Sequence, residues 1–173
     1  MLGFFYLRKM NSVKADFKRG NFVVSRKDCG TLNARKFGVL SAQGLVLSSF
    51  ETLYLIEKEW IEVEKNSKNL SFDDVSKILK VPNYEYLVFK DLRSKGCLVK
   101  SGLKYGFLFR VYEKGSSLHA KWLVDAVKES GKTSYKDLAG KSRVAHSTKK
   151  QVLMAVVDSE DSVTYFELGW KRI

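Results

Sequence analysis

The stretch "KVPNYEYLVFKDLRSKG", residues 80–96, decides how the chain divides. Pro82 is the sole proline of the 173-residue chain. It lacks a backbone N–H and pushes Val81 out of the helical region, so it stops whatever helix precedes it. Asn83 then reads as the cap of a new helix, with Tyr86, Leu87, Phe89 and Leu92 inside it and Gly96 as its C-terminal glycine. A boundary at Pro82 divides the sequence into residues 1–81 and 82–173.

Upstream of the boundary, the apolar runs 2–8 and 21–25 suit strands, with the polar segment "KMNSVKADFKRGN" as connector. "SSFETLYLIEKEW" predicts a helix capped by Ser48 or Ser49, with Phe50, Leu53, Tyr54 and Ile56 as its apolar positions. "SFDDVSKILK" predicts another, with Ser71 as cap, acids in the first turn and lysines near the end, where they complement the helix dipole. "WIEVE", between them, alternates like a strand. Downstream, strand-like runs occupy 97–100, 107–113, 118–127, 151–157 and 162–168, and a helix is expected around 134–147. The fold class is therefore α+β: a small N-terminal α+β domain followed by a C-terminal mixed-sheet domain with flanking helices.

Composition bounds the partners. Lys and Arg number 31 against 19 Asp and Glu, a net charge of +12 with a pI near 9.6, and both halves are basic. Such a balance favours a polyanion, with nucleic acid first and an anionic membrane surface second. A hydrophobic content of 45% is ample for a packed core and excludes a disordered chain. Cys29 and Cys97 are too few for a zinc cluster or a disulfide framework, which points to a reducing compartment. The opening "MLGFFYLRKM" places apolar residues before basic ones, the reverse of a signal peptide, and is too short to span a bilayer. The expectation is a cytoplasmic protein with no membrane partner.

Four groups of residues carry possible chemistry. Alternation along "FLFRVYEKG" puts Leu108, Arg110 and Tyr112 on one strand face, so a phenol sits beside a cation that favours its ionised form. The plain alternative is a half-buried strand tyrosine. His119 and His146 are the two histidines, and the connection "EKGSS" is suited to a turn that returns His119 toward Tyr112. "RVAHSTKK", residues 143–150, gathers four potential cations ahead of an apolar strand. It is either a solvated helix face or the floor of an anion site, where fixed Lys and Arg stabilise a phosphorane-like transition state without metal. The turn "DSEDS" holds Asp158, Glu160 and Asp161; a solvated turn or a partner contact is preferred there over a metal site.

Beyond these local readings, "YLVFKDLRSKGCLVKSGLKYGFLFRVYEKG", "HAKWLVDAV" and "SRVAHSTKKQVLMAVVD" resemble, in order, the catalytic domain of the archaeal tRNA-splicing endonucleases. "ARKFG" through "LVLSSFETLYLIEK" resembles that family's smaller first domain, and residues 1–30 match least. The resemblance implies an RNA endonuclease that needs no cofactor or metal and cleaves precursor tRNA at bulge-helix-bulge junctions, leaving 2′,3′-cyclic phosphate and 5′-hydroxyl ends. It implies Tyr112 as base, His119 as acid and Lys150 as the stabiliser of the pentavalent phosphate. It further implies Arg143 and Trp170 as an RNA-binding grip on a bulged base. The acidic turn Asp158, Glu160 and Asp161 would be a subunit interface, in a homotetramer or in a heterotetramer with a related structural subunit. The connection between Tyr112 and His119 is shorter than the family's, and Ala120 stands where serine is common, which leaves His146 as the alternative acid. A non-catalytic RNA-binding subunit of the same assembly and a metal-dependent DNA nuclease are the competing readings.

Overall fold

The computed structural model describes residues 12–115 and 118–171, and the expected strand at 2–8 lies outside them. The chain forms two compact units, Met1–Val81 and Pro82–Ile173.

In the first unit, a six-stranded mixed sheet is built from β1 (Val13–Lys18), β2 (Asn21–Val24), β3 (Val39–Ser41), β4 (Gly44–Leu47), β5 (Ile61–Lys65) and β6 (Lys68–Leu70), in the order β3-β4-β2-β1-β5-β6. β1 falls inside the segment expected to be a connector. Its lysines and aspartate mask the alternation that buries Ala15, and pairing on both sides, antiparallel to β2 and parallel to β5, supplies what local propensity does not. A short helix, α1 (Gly30–Ala34), and the β3–β4 hairpin were also not legible in advance. α2 (Ser49–Glu57) takes Ser48 as its cap in a reciprocal box with Glu51, and α3 (Phe72–Leu79) takes Ser71 with Asp74. Each cap contributes about 1 kcal/mol.

The second unit begins with α4 (Asn83–Ser94). Here Pro82, not Asn83, is the N-cap: its carbonyl accepts from the Glu85 and Tyr86 amides, and no side chain caps the helix. At the other end Gly96 is left-handed at φ 84°, and the Gly96 and Cys97 amides donate to the Arg93 and Leu92 carbonyls, which closes the helix. β7 (Leu98–Ser101), β8 (Phe109–Tyr112), β9 (Trp122–Lys128), β10 (Gln151–Val157) and β11 (Val163–Leu168) form one sheet in the order β11-β10-β9-β8-β7. All pairs are antiparallel except β9–β10, which are parallel and joined through α5 (Tyr135–Ser147), capped by Ser134. β9 begins four residues later than its apolar run, because residues 118–121 form the loop that carries His119.

Alternation assigns the two faces. Phe109 packs against Phe89 of α4 with ring centroids 5.8 Å apart, and Tyr165 of β11 donates a 2.7 Å hydrogen bond to Asp91 on the same helix. Burial, and then that bond, raise the Tyr165 phenol well above its ordinary range. On the opposite face, Ala145 of α5 joins Phe107, Leu123 and Val152 in a small core, against which Tyr105 and Leu168 pack.

Gly102 sits at the β7–β8 connection, where a Cβ would lie 2.6 Å from the Phe109 backbone. Gly102→Ala is therefore expected to destabilise the protein by about 1–3 kcal/mol through overpacking; denaturant unfolding against the wild type measures it.

Candidate active site

The register of three strands determines where the candidate residues sit. Val111 of β8 lies opposite Trp122 of β9, and Trp122 lies opposite Gln151 of β10. The end of β8 and the starts of β9 and β10 thus meet at one end of the sheet. Tyr112, Lys121 and Lys150 each stand one residue beyond those paired positions. The Lys121 amide donates to the Val111 carbonyl and the Gln151 amide to the Lys121 carbonyl, at 2.9 and 3.0 Å, so the ladder runs to this edge.

Tyr112 is half-buried, and the Arg110 guanidinium carbon lies 5.9 Å from its ring centroid, on the face read from alternation. Lys150 reaches the site because α5 ends abruptly. Lys149 is left-handed at φ 56°, and the Lys149 and Lys150 amides donate to the His146 and Ala145 carbonyls. The Lys150 ammonium donates to the Thr148 carbonyl at 2.8 Å and lies 5.3 Å from the Tyr105 ring centroid. Lys104 approaches the same ring at 4.8 Å. Its hydrogen bond to the Tyr105 hydroxyl, together with the charges of Lys104, Lys150 and Arg110, holds that phenol below its ordinary pKa. Tyr105 and Arg110 are thus parts of the site that the sequence reading left unassigned. Their signal was the strand face shared by Arg110 and Tyr112 and the "KYG" turn between the strands.

His119 is exposed on the loop between β8 and β9. The loop is closed at its base by a 2.9 Å ion pair between Lys121 and Glu113. This brings His119 to the same end of the sheet as Tyr112 and Lys150, without a side-chain contact to either among the described residues. Arg143 is exposed on α5; Trp170 packs on His146, one turn further along that helix, with ring centroids 4.6 Å apart. In the acidic turn, the Asp158 carboxylate accepts the Glu160 and Ser162 amides, both at 2.9 Å, and is used in shaping the turn. Glu160 and Asp161 are exposed there. Beneath the site, Asp125 is buried, accepts the Leu108 amide at 3.1 Å and pairs with Lys141, which fastens α5 to the sheet.

The two-unit α+β fold thus carries a cationic, tyrosine-containing cluster at one end of a mixed sheet. The comparisons specify it further. Residues 83–165 match the family model described as tRNA intron endonuclease, catalytic C-terminal domain, and residues 13–76 match the model of its N-terminal domain. A tRNA-splicing endonuclease of Pyrococcus furiosus is 43% identical over 142 residues, covering 80% of this chain and 83% of that protein. One from Thermococcus kodakarensis is 40% identical over 147 residues, 83% of this chain and 88% of that protein. Another, from Methanococcus vannielii, is 36% identical over 170 residues, 94% of this chain and 96% of that protein. The chain belongs to the tRNA intron endonuclease family and contains the family's catalytic domain. Among the described residues no helix is long and apolar enough to cross a membrane.

Because Lys149 holds a left-handed conformation that favours glycine, Lys149→Gly is expected to raise stability by about 0.5–1 kcal/mol. Thermal unfolding measures the gain; a loss would mean that the lysine side chain itself holds the turn.

Proposed function

We propose that this chain is a catalytic subunit that cleaves precursor tRNA at bulge-helix-bulge junctions between exon and intron, without a metal ion. Residues 82–173 form the catalytic domain and residues 1–81 the N-terminal domain. The observation that carries the reading is the meeting of Tyr112, the His119 loop and Lys150 at one end of a single sheet, among Lys104 and Arg110.

Tyr112, as phenolate, takes the proton of the ribose 2′-hydroxyl, and the 2′-oxygen attacks the adjacent phosphorus. The bond from phosphorus to the 5′-oxygen breaks, and His119, as imidazolium, gives that oxygen its proton. One product ends in a 2′,3′-cyclic phosphate and the other in a 5′-hydroxyl. Lys150 offsets the extra charge on the pentavalent phosphate. Fixed cations at the site supply the role a metal would otherwise take.

Arg143 and Trp170 form the RNA grip. Trp170 offers a stacking surface already held against His146. Its packing there also supports a structural role for His146, leaving His119 as the acid. Asp158, Glu160 and Asp161 form the subunit interface of a tetramer, made of identical chains or shared with a related structural subunit. The shape that Asp158 gives the turn, with Glu160 and Asp161 outward, suits docking on a basic surface. The site of action is the cytoplasm.

The test is cleavage of a bulge-helix-bulge RNA by the purified chain in EDTA, with the product ends identified. Cleavage to cyclic phosphate and 5′-hydroxyl ends is expected, and a 2′-deoxyribose at the cleaved position should block it. Tyr112→Phe, His119→Ala and Lys150→Ala should each slow cleavage by roughly 100-fold or more with binding nearly unchanged. Binding without cleavage would favour the non-catalytic subunit, and DNA cleavage abolished by EDTA would favour a metal-dependent nuclease.

A further inference from the structure

Arg110 differs from the cations of its unit that meet a carboxylate. Lys95 pairs with Asp91, Lys121 with Glu113 and Lys141 with Asp125. Arg110 is half-buried, its Nε is fully enclosed without a hydrogen-bond partner, and among the described residues its guanidinium meets no carboxylate. Its strand neighbours across the ladder are Lys100 on β7 and Leu123 on β9. Around it stand Tyr112, and Tyr105 with the ammonium groups of Lys104 and Lys150 over its ring.

A half-buried guanidinium with an enclosed, unpartnered Nε and no counter-charge is costly, and neighbouring cations raise that cost. Packing alone gives no return for it, since a methionine would fill similar space without the penalty. The arrangement becomes favourable once an anion enters. A guanidinium presents a planar fork of donors that fits phosphate oxygens in pairs, which an ammonium does not. α5 covers the β9–β10 side of this face through Ala145 and the Lys141–Asp125 pair, and Arg110 lies on the β8 side, toward Tyr112.

We propose that Arg110 binds a backbone phosphate of the RNA at the cleavage site, through a guanidinium that meets no anionic partner among the described residues. This rests on the reading of Tyr112 and Lys150 as the reacting site, and it adds a phosphate contact to them. The terminal nitrogens meet the phosphate while the enclosed Nε fixes the plane of the fork. Arg110 thereby places the sugar–phosphate unit beside Tyr112, and its charge adds to that of Lys150 as negative charge develops on phosphorus.

The experiment uses the full-length chain and an uncleavable RNA carrying 2′-deoxyribose at the cleaved positions, with affinity measured across a salt series. Arg110→Met should flatten the slope of log affinity against log salt by about 0.7–0.9, the loss of one phosphate contact, and Arg110→Lys should retain the slope. With cleavable RNA, Arg110→Met should lower the cleavage rate at least about tenfold, and Arg110→Lys should recover part of it. Its melting temperature should hold or rise, because an unpaired charge is removed. An unchanged slope and rate in Arg110→Met would overturn the proposal, as would a fall in melting temperature with an unchanged slope, which is the signature of a structural role. Should the methionine variant not fold, Arg110→Gln carries the same comparison. Tyr112→Phe and Lys150→Ala are assayed alongside: if they cleave normally, the reacting site itself is misassigned. If they are inactive while Arg110→Met behaves as wild type, only the role of Arg110 fails.

Discussion

The parallel pairing of β9 with β10 is the constraint on which the second unit depends. Two parallel neighbours cannot be joined by a tight turn, so the chain must cross over the sheet and return to the end at which β9 began. α5 is that crossover, and its buried Ala145 seats it on Leu123 and Val152. The return places the basic end of the helix directly at the start of β10. β8, antiparallel to β9, finishes at the same edge. A tyrosine and its following histidine-bearing loop meet a lysine distant in sequence because of one choice of strand direction.

That edge collects positive charge, which the fold has to tolerate. Aromatic faces are part of the answer: Lys104 and Lys150 lie over Tyr105, Arg110 beside Tyr112 and Lys121 over Trp122. Each such contact is worth about 0.5–1 kcal/mol at an exposed site, enough to orient a cation but not to neutralise it. Asp125 holds α5 and Asp91 anchors β11 on α4, while Glu113 pairs with Lys121 at the base of the His119 loop. Among the described residues Lys104, Arg110 and Lys150 meet no carboxylate, so that part of the sheet's end stays electropositive.

Much of the architecture was readable because its signals are local. Ser71 ahead of two acids gave the cap of α3, the cap of α2 was narrowed to Ser48 or Ser49, Gly96 gave the end of α4, and alternation placed Arg110 and Tyr112 on one face. The misses share a cause. β1 is half polar and becomes a strand by pairing on both sides, and the β3–β4 hairpin is too short to show a period. Asn83 had the chemistry of a cap, yet the backbone turned into the helix one residue earlier, at Pro82. The apolar run at 118–127 concealed a loop start, because Leu118 is exposed despite its type.

By itself the sequence determined the α+β class, the polyanionic character of the partner and the residue types able to act on a phosphate. It does so because composition, caps and alternation are properties of neighbouring residues. Only the tertiary structure decided that Tyr105 and Lys150 stand with Arg110 and Tyr112, and that Trp170 rests on His146. Those relations depend on strand register and on a crossover, which join segments tens of residues apart, and no local pattern encodes which of many possible pairings has the lowest free energy.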